Sequence, residues 1–265
     1  MPLYFRAMKV KQCFDQLGRT IEFNFPPQRI VSLVPSQTEL LYDLGVSDRV
    51  VGITKFCVHP DSWYKAKPKV GGTKIFHLDV IDELRPDLII GNKEENEIEG
   101  IRQLSSKYPV WMSDITNWES AMQMISGVGN LIDAGAKANS LMEDINNRFE
   151  NVKRFEPLQT LYIIWKKPWM AAGKDTFIDS MISKIGLVNC IDQGRYPELT
   201  LESMIKLSPE VILLSSEPFP FKEKHIDELR QVLPKSKILL VDGEMFSWYG
   251  SRLLHAPDYF NSLAL

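Results

Sequence analysis

"LDVIDELRPDLII" at residues 78–90 and "LESMIKLSPEVIL" at residues 201–213 are two versions of one pattern. Each version begins with Leu and an acidic residue, spaces its apolar residues for one helix face, reaches Pro and a second acidic residue, and ends in an apolar run. The copies lie 123 residues apart throughout, from Leu78 to Leu201. This separation is too large for a solenoid period, so it predicts two similar lobes with a helix, a turn and a buried strand in equivalent places.

The length and composition of the chain fit two globular lobes. Of 265 residues, 44% are hydrophobic and 25% are charged, so each half can bury a core and disorder is not expected. We predict an N-terminal lobe at residues 1–133, an interlobe helix at residues 134–155 and a C-terminal lobe at residues 156–265. The formal net charge of −3 and the pI near 5.9 exclude the basic surface that binding to nucleic acid requires.

The segments around the repeat alternate strands and helices. "RIVSLVP" is typical of a buried strand, and "SQTELLYDLG" of a helix with Ser36 or Thr38 as its N-cap and Gly45 as its stop. Gly186 follows the first helix of the second half in the same way. This order predicts an α/β fold with a central, mainly parallel sheet in each lobe. Apolar residues at helical spacing between the halves predict one long backbone helix, roughly 30 Å in length, that joins the lobes.

The spacing of the cysteines and the hydropathy of the chain indicate the cell compartment in which the protein is expected. Cys13, Cys57 and Cys190 are far apart and form no CxxC motif, so neither a disulfide framework nor a structural zinc site is predicted. No apolar stretch near the start resembles a signal peptide, and no apolar run is long enough to span a bilayer. As written, the chain is therefore expected to stay in the cytoplasm, unless an upstream start supplies an export signal.

The loops after the predicted strands carry many aromatic side chains in both halves. Ligands of open α/β sheets bind outside the carboxyl ends of the strands, so these loops predict a ring-lined cleft between the lobes for a large, partly flat ligand. The predicted ligand contacts are Phe56, Cys57, Lys74, Asn92, Lys93, Trp165, Trp169, Tyr196, Phe246, Trp248 and Arg252. No catalytic motif is present, so we expect neither an enzyme nor a resident cofactor. Cys57 and His59 could contact a metal within the ligand, although packing of their loop is the simpler interpretation.

Four segments together resemble a known family. "DQLGRT", "PPQRIVSLVPSQTELLYDLG", "LRPDLIIGNKEEN" and "YPELTLESMIKLSPEVILLSS" resemble the helical-backbone class of substrate-binding proteins of ABC transporters, which serves vitamin B12, haem and ferric siderophores. Within that class, the chain looks most like the cobalamin-binding branch, because Phe56, Trp165 and Tyr196 match its cleft aromatics. Further cleft tryptophans of that branch are replaced around Lys74 and Asn92. Lys74 could instead favour an anionic ligand, such as haem or a ferric siderophore.

The resemblance also implies a partner and a location. In the family, one exposed carboxylate of each lobe docks on an arginine of the membrane permease, and the motif match places these carboxylates at Asp79 and Glu202. Acidic residues at helix starts are also favoured by the helix dipole alone. The family is periplasmic, and we expect a monomer. A cytoplasmic protein that binds a corrinoid or a metal cofactor without a transport role is the alternative, favoured by the missing export signal.

Overall fold

The computed structural model describes residues 9–265, which form two compact units. The first unit comprises the described residues up to Ile115 together with Ser120–Asp144, and the second comprises Thr116–Glu119 and Ile145–Leu265. Within residues 9–265, no helix combines the length and the apolar character that crossing a membrane requires.

The first unit is built on a four-stranded parallel sheet and a separate antiparallel hairpin. Its elements, up to the helix that continues into the second unit, are β1 (Lys9–Phe14), β2 (Thr20–Phe25), β3 (Ile30–Ser32), α1 (Pro35–Asp43), β4 (Val50–Ile53), α2 (Asp61–Ala66), α3 (Leu78–Leu84), β5 (Leu88–Asn92), α4 (Ile98–Ser105), β6 (Val110–Ser113), α5 (Trp118–Leu131) and α6 (Gly135–Glu150). The sheet order is β4-β3-β5-β6. The connections after β3 and β5 run to opposite sides, so the carboxyl ends of these two strands form the switch point at which α/β sheets bind ligands.

The second unit repeats this arrangement around a mixed sheet. Its elements are β7 (Gln159–Trp165), β8 (Trp169–Ala171), α7 (Phe177–Lys184), β9 (Val188–Asn189), β10 (Glu198–Leu199), α8 (Leu201–Leu207), β11 (Val211–Ser215), α9 (Glu223–Val232), β12 (Lys237–Val241), α10 (Gly243–Ser247), a 3₁₀ turn at Ser251–Leu254 and α11 (Ala256–Ser262). The sheet order is β10-β8-β7-β11-β12, and β9 also pairs with β7. Strands β7, β9, β11 and β12 pair in parallel, while β8 is antiparallel to both of its neighbours. The carboxyl ends of β7 and β11 correspond to those of β3 and β5.

The repeat seen in the sequence is present in the structure element by element. Helices α3 and α8 have seven residues each and end at a non-glycine residue with positive φ, Arg85 at 44° and Ser208 at 48°. The following strands, β5 and β11, have five buried residues each. Ile81 and Met204, at matching positions of the two helices, are fully buried. The predicted copy of helix, turn and buried strand is therefore observed in both units.

The acidic residue just before each repeated strand fixes that strand to the centre of its sheet. The carboxylate of Asp87 accepts the backbone N–H groups of Gln28 and Arg29 at 2.7 and 2.8 Å, and the Asp87 N–H donates to the Arg29 carbonyl. In the second unit, the Glu210 carboxylate accepts the Gln159 N–H at 2.8 Å, and the Glu210 N–H donates to the Gln159 carbonyl. The second acidic residue of the repeat is thus a structural residue, because it satisfies backbone donors at the start of the central strand.

The helix stops predicted at Gly45 and Gly186 are confirmed, and the predicted cap of α1 is wrong. Both glycines have positive φ, 82° and 91°, and each follows the first helix after the central strand of its unit, α1 or α7. Helix α1 begins at Pro35, before either candidate cap, so its N-cap is Val34 and no side chain caps it. Proline is favoured at the first helical position because its fixed φ suits a helix and it has no N–H to satisfy. Thr38 instead donates its hydroxyl to the Val34 carbonyl from within the first turn.

The segment predicted to join the lobes contains α6. This helix spans Gly135–Glu150, and the division between the two units falls inside it, after Asp144. Four of its apolar residues are buried: Ala138, Leu141, Ile145 and Phe149. The helical spacing of apolar residues in the sequence therefore reflects packing along one face of α6.

Candidate functional site

The loop after β4 places one exposed ring beside a buried thiol. Phe56 is 50% exposed, and the Lys55 ammonium lies 5.2 Å from the centre of its ring. Cys57 is fully buried, with its Sγ 3.1 Å from the hydroxyl oxygens of both Thr38 and Thr54. Burial raises the pKa of Cys57, so its thiol stays protonated and is a poor metal ligand. Its own loop therefore encloses Cys57, and its role as a ligand contact or metal ligand stays a prediction.

Polar residues at the ends of β5 and β6 form a closed hydrogen-bond network. Asn92 is buried; its Oδ1 accepts two backbone N–H groups of the next turn, and its Nδ2 donates to Ser113 Oγ at 3.0 Å. Three hydrogen bonds therefore hold the Asn92 amide within the protein, and its role as a ligand contact stays a prediction. Lys93 pairs with Asp114 at 2.6 Å, and Lys74 donates to a backbone carbonyl at 2.7 Å. Both ammonium groups lie at the surface.

In the second unit, the hairpin after β7 and the loop after β11 share an aromatic cluster. Trp165 packs edge-on against Phe219 with ring centres 5.6 Å apart, and Phe219 contacts Phe221 at 4.7 Å. Trp169 is stacked on Phe221 at 6.0 Å, and the Lys166 ammonium lies 5.0 Å from the Trp169 ring. Trp165 remains 38% exposed, so it is the ring of this cluster with the most surface for a ligand.

A half-buried carboxylate connects the loops that follow β11 and β12. Glu217 accepts hydrogen bonds from Ser247 Oγ at 2.9 Å and from Trp248 Nε1 at 2.8 Å. Burial raises the pKa of Glu217, and the nearby Glu244 carboxylate adds to this effect. Glu244 also pairs with Arg252 at 3.3 Å, and the Arg252 guanidinium lies 5.3 Å from the Trp248 ring. Trp248 is thus buried and held by its indole N–H, so it positions Arg252 and is not itself an accessible ring as predicted.

Phe246 and Tyr196 lie in different environments. Phe246 is fully buried and packs against Tyr162 at 5.1 Å and Phe260 at 4.8 Å, so it belongs to the core and not to the predicted ligand contacts. Tyr196 is half-buried in the loop before β10. Within residues 9–265, no cluster of three or more His, Cys, Asp or Glu side chains could hold a metal ion. Contact of Cys57 or His59 with a metal carried by the ligand stays a prediction.

The two carboxylates predicted to dock on a permease occupy equivalent places. Asp79 is the second residue of α3, and Glu202 is the second residue of α8. Both are exposed. A hydrogen bond from the Thr200 side chain lowers the pKa of Glu202, so this carboxylate stays charged well below neutral pH.

Sequence reasoning missed several residues that shape these loops. Glu217 stands in "SSEPFPF" among predicted aromatic contacts, but no spacing in the sequence indicates that Trp248 would donate to it. Lys55 was overlooked beside Phe56, although an ammonium next to an exposed ring is a recognisable pair in the sequence.

Comparison with known proteins places the chain in a family. Residues 30–235 match the periplasmic binding protein family. The chain belongs to this family. Its members bind small ligands and are not enzymes, so the chain is a substrate-binding protein of the ABC-importer class. The family is extracytoplasmic, which favours that location over the cytoplasmic one expected from the sequence.

Two relatives in sequence share most of the chain. It is 27% identical over 212 residues to an uncharacterized ABC transporter substrate-binding lipoprotein, YvrC of Bacillus subtilis, covering 75% of this chain and 67% of that one. It is 23% identical over 200 residues to the vitamin B12-binding protein of Vibrio cholerae, covering 72% of this chain and 71% of that one. These matches confirm the resemblance to ABC substrate-binding proteins that the sequence motifs indicated.

Solved structures share the fold. The periplasmic heme-binding protein BhuT, in complex with two hemes, has a TM-score of 0.77 at 22% identity, over 88% of this chain and 96% of that one. The petrobactin-binding protein YclQ of Bacillus subtilis has a TM-score of 0.79 at 18% identity, over 96% of this chain and 98% of that one. These matches confirm the predicted α/β fold class.

Proposed function

We propose that the strand-end loops of both units hold a cobalamin or a related corrinoid, and that the chain delivers this ligand to an ABC permease. One observation carries the proposal: a large ring is left half-exposed at a strand end in each unit, Phe56 at 50% and Trp165 at 38%. Exposed rings at the carboxyl end of an α/β sheet gain free energy when a ligand covers them. A corrin ring offers the broad, partly flat face that such side chains cover well.

The charges of the candidate loops favour a ligand with little net negative charge. Lys93, Lys166 and Arg252 each pair with a carboxylate, those of Asp114, Glu228 and Glu244 respectively. A cation that is already paired has less to gain from an anionic ligand. The vitamin B12-binding relatives support the same ligand class.

A second candidate is an anionic metal chelate, such as haem or a ferric siderophore. Lys55 and Lys74 favour it, because both ammonium groups are exposed in the loops of the first unit and neither forms an ion pair in the described part of the chain. The heme-binding and petrobactin-binding proteins that share the fold keep this alternative open.

An equilibrium titration separates the two candidates. Purified protein is titrated with cyanocobalamin, with haemin and with a ferric catecholate, and the quenching of tryptophan fluorescence is followed. The proposal expects micromolar or tighter binding of the corrinoid and weaker binding of the anionic chelates. Preference for haemin or the catecholate would establish the second candidate, and no micromolar binding of any of the three would refute both.

Delivery to the permease is proposed to use Asp79 and Glu202. Their exposure and their equivalent positions on two repeated helices support this role, since two similar surfaces would each present one carboxylate to a permease dimer. Exposed ion pairs contribute only about 0–1 kcal/mol each, so the docking is expected to be reversible and sensitive to salt. A corrinoid-binding protein without a transport role would not need these two carboxylates. Fractionation of native cells distinguishes such a protein from a transport protein, because only the transport protein should be recovered outside the cytoplasm.

A further inference from the structure

The first turn of α1 contains four polar groups that have no partner within the described residues. They are the backbone N–H groups of Ser36 and Gln37, the Ser36 hydroxyl and the Gln37 side-chain oxygen, Oε1. Ser36 is 3% exposed and Gln37 is fully buried. Buried polar groups are almost always hydrogen-bonded, because an unpaired one retains its full desolvation penalty. Four such groups in one helical turn therefore indicate a place where another molecule supplies the missing partners.

The counterpart of α1 in the second unit has a side-chain cap. Helix α7 is the first helix after the central strand β7, and its N-cap Thr176 accepts the Asp179 N–H at 3.1 Å. At α1 the N-cap is Val34, whose apolar side chain cannot accept a hydrogen bond. The two units thus differ at equivalent helix starts: a side chain caps α7, whereas no side chain caps α1.

The hydrogen-bond network fixes which way the Gln37 amide points. Asn92 Oδ1 accepts two backbone N–H groups, so Asn92 Nδ2 faces Ser113 Oγ. Ser113 donates its own hydroxyl hydrogen to a backbone carbonyl, so its oxygen is left as an acceptor. Gln37 must therefore direct its Nε2 toward Ser113, which is the contact observed, and its Oε1 is left without a donor.

Helix α1 contacts the loop that carries the exposed ring of the first unit. It follows β3, whose carboxyl end forms the switch point of the parallel sheet. Thr38, on the same helix, contacts the thiol of Cys57 at 3.1 Å, and the neighbouring residue along the chain is the half-exposed Phe56. A ligand that covers Phe56 therefore comes close to the start of α1.

We propose that the first turn of α1 is a subsite for a primary carboxamide of the ligand. The carboxamide oxygen accepts from the Ser36 and Gln37 N–H groups and the Ser36 hydroxyl, and the carboxamide NH₂ donates to Gln37 Oε1. A carboxylate has no hydrogen to donate, so it would leave Gln37 Oε1 unpaired and facing a negative charge. The inference rests on the proposed function, since corrinoids carry several primary carboxamides whereas haem carries carboxylates.

The test compares cyanocobalamin with its monocarboxylic acids, in each of which one side-chain amide has been hydrolysed. At least one of these acids is expected to bind the wild-type protein about tenfold more weakly or worse, because a buried acceptor loses its donor. Gln37→Met removes that acceptor and should abolish the discrimination. Gln103→Met, at an exposed position of α4, is the matched control and should retain it. Equal wild-type affinity for cyanocobalamin and all of the acids would overturn the subsite while leaving the proposed function intact.

A second measurement keeps the subsite testable if the protein binds no corrinoid. The amide resonances of Ser36 and Gln37 in a ¹H–¹⁵N spectrum are followed during titration with propionamide and with propionate. The subsite expects propionamide to shift both resonances and propionate to leave them in place. A shift with neither probe, or an equal shift with both, would mean that an ordered water alone satisfies this turn, and the subsite would be refuted independently of the ligand proposal.

Discussion

Replacing Phe56 with Ala is the sharpest test of where the ligand lies. Phe56 is half-exposed, so a ligand that covers the rest of its side chain removes about 100 Å² from water. At about 25 cal/mol per Å², the ring contributes about 2.5 kcal/mol, and its loss should weaken binding by about 70-fold. The free energy of unfolding should change little, because a half-exposed ring contributes less to the core than a buried one.

The assay is tryptophan fluorescence titration with cyanocobalamin, run beside a thermal melt of each variant. Phe14→Ala is the control, because Phe14 is 74% exposed on the hairpin strand β1, which is not part of the parallel sheet. It should leave the dissociation constant unchanged. If Phe56→Ala binds as tightly as the wild type, or if Phe14→Ala weakens binding equally, the placement of the ligand on the loop after β4 is wrong.

Three further predictions concern docking and stability. Asp79→Ala and Glu202→Ala should leave ligand affinity unchanged but reduce stimulation of the permease ATPase. Glu83→Ala is the control, because Glu83 is an exposed acid on the same helix as Asp79, and it should leave that stimulation unchanged. An equal loss of stimulation with the control would contradict the docking role. Gly186→Ala should lower the free energy of unfolding by about 1–3 kcal/mol, because φ is 91° and a Cβ would lie 2.6 Å from a backbone oxygen. Urea unfolding measures this change. An unchanged midpoint would show that the loop can rearrange to accept the Cβ. Burial and two nearby lysines lower the pKa of His225, so the unfolded chain takes up this proton at a higher pH than the folded one. The contribution of His225 to the free energy of unfolding should therefore be full above about pH 6.5 and fall below it. His225→Gln should flatten the dependence of the free energy of unfolding on pH between pH 7 and pH 5.

The fold was largely predictable because local sequence patterns determine it and these patterns occur twice. The stretch from Leu78 onward and its copy from Leu201 onward carry helix, turn and strand within 13 residues each, so no long-range contact had to be known. Gly45 and Gly186 were equally readable, since a helix stop with positive φ favours glycine. The prediction of the N-cap of α1 failed because two local preferences compete there, that of proline for the first helical position and that of Ser or Thr for the N-cap. Proline at the first helical position set the boundary, and the hydroxyl of Thr38 then served inside the turn.

The candidate site was only partly predictable, because exposure depends on tertiary packing. Phe56 and Phe246 both follow a strand of a parallel sheet, yet the first is half-exposed and the second is fully buried against Tyr162 and Phe260. Nothing in the residue type separates them. Asn92 likewise stands where a ligand contact is expected, but no spacing in the sequence indicates that the next turn and Ser113 would hold its amide.

The way in which the two copies differ bears on what each part does. The features that repeat are those of the scaffold and its surface: the positive-φ helix ends, the carboxylates of Asp87 and Glu210 at the central strands, and the exposed acids Asp79 and Glu202. The strand-end loops do not repeat. The first unit leaves an uncapped helix start and an exposed ring beside Lys55 there, whereas the second has a capped helix start and stacked rings. A symmetric permease dimer would contact what is duplicated, while a ligand without symmetry needs different groups from each unit. The division between repeated and unrepeated residues is therefore the one that a carrier of an asymmetric ligand requires.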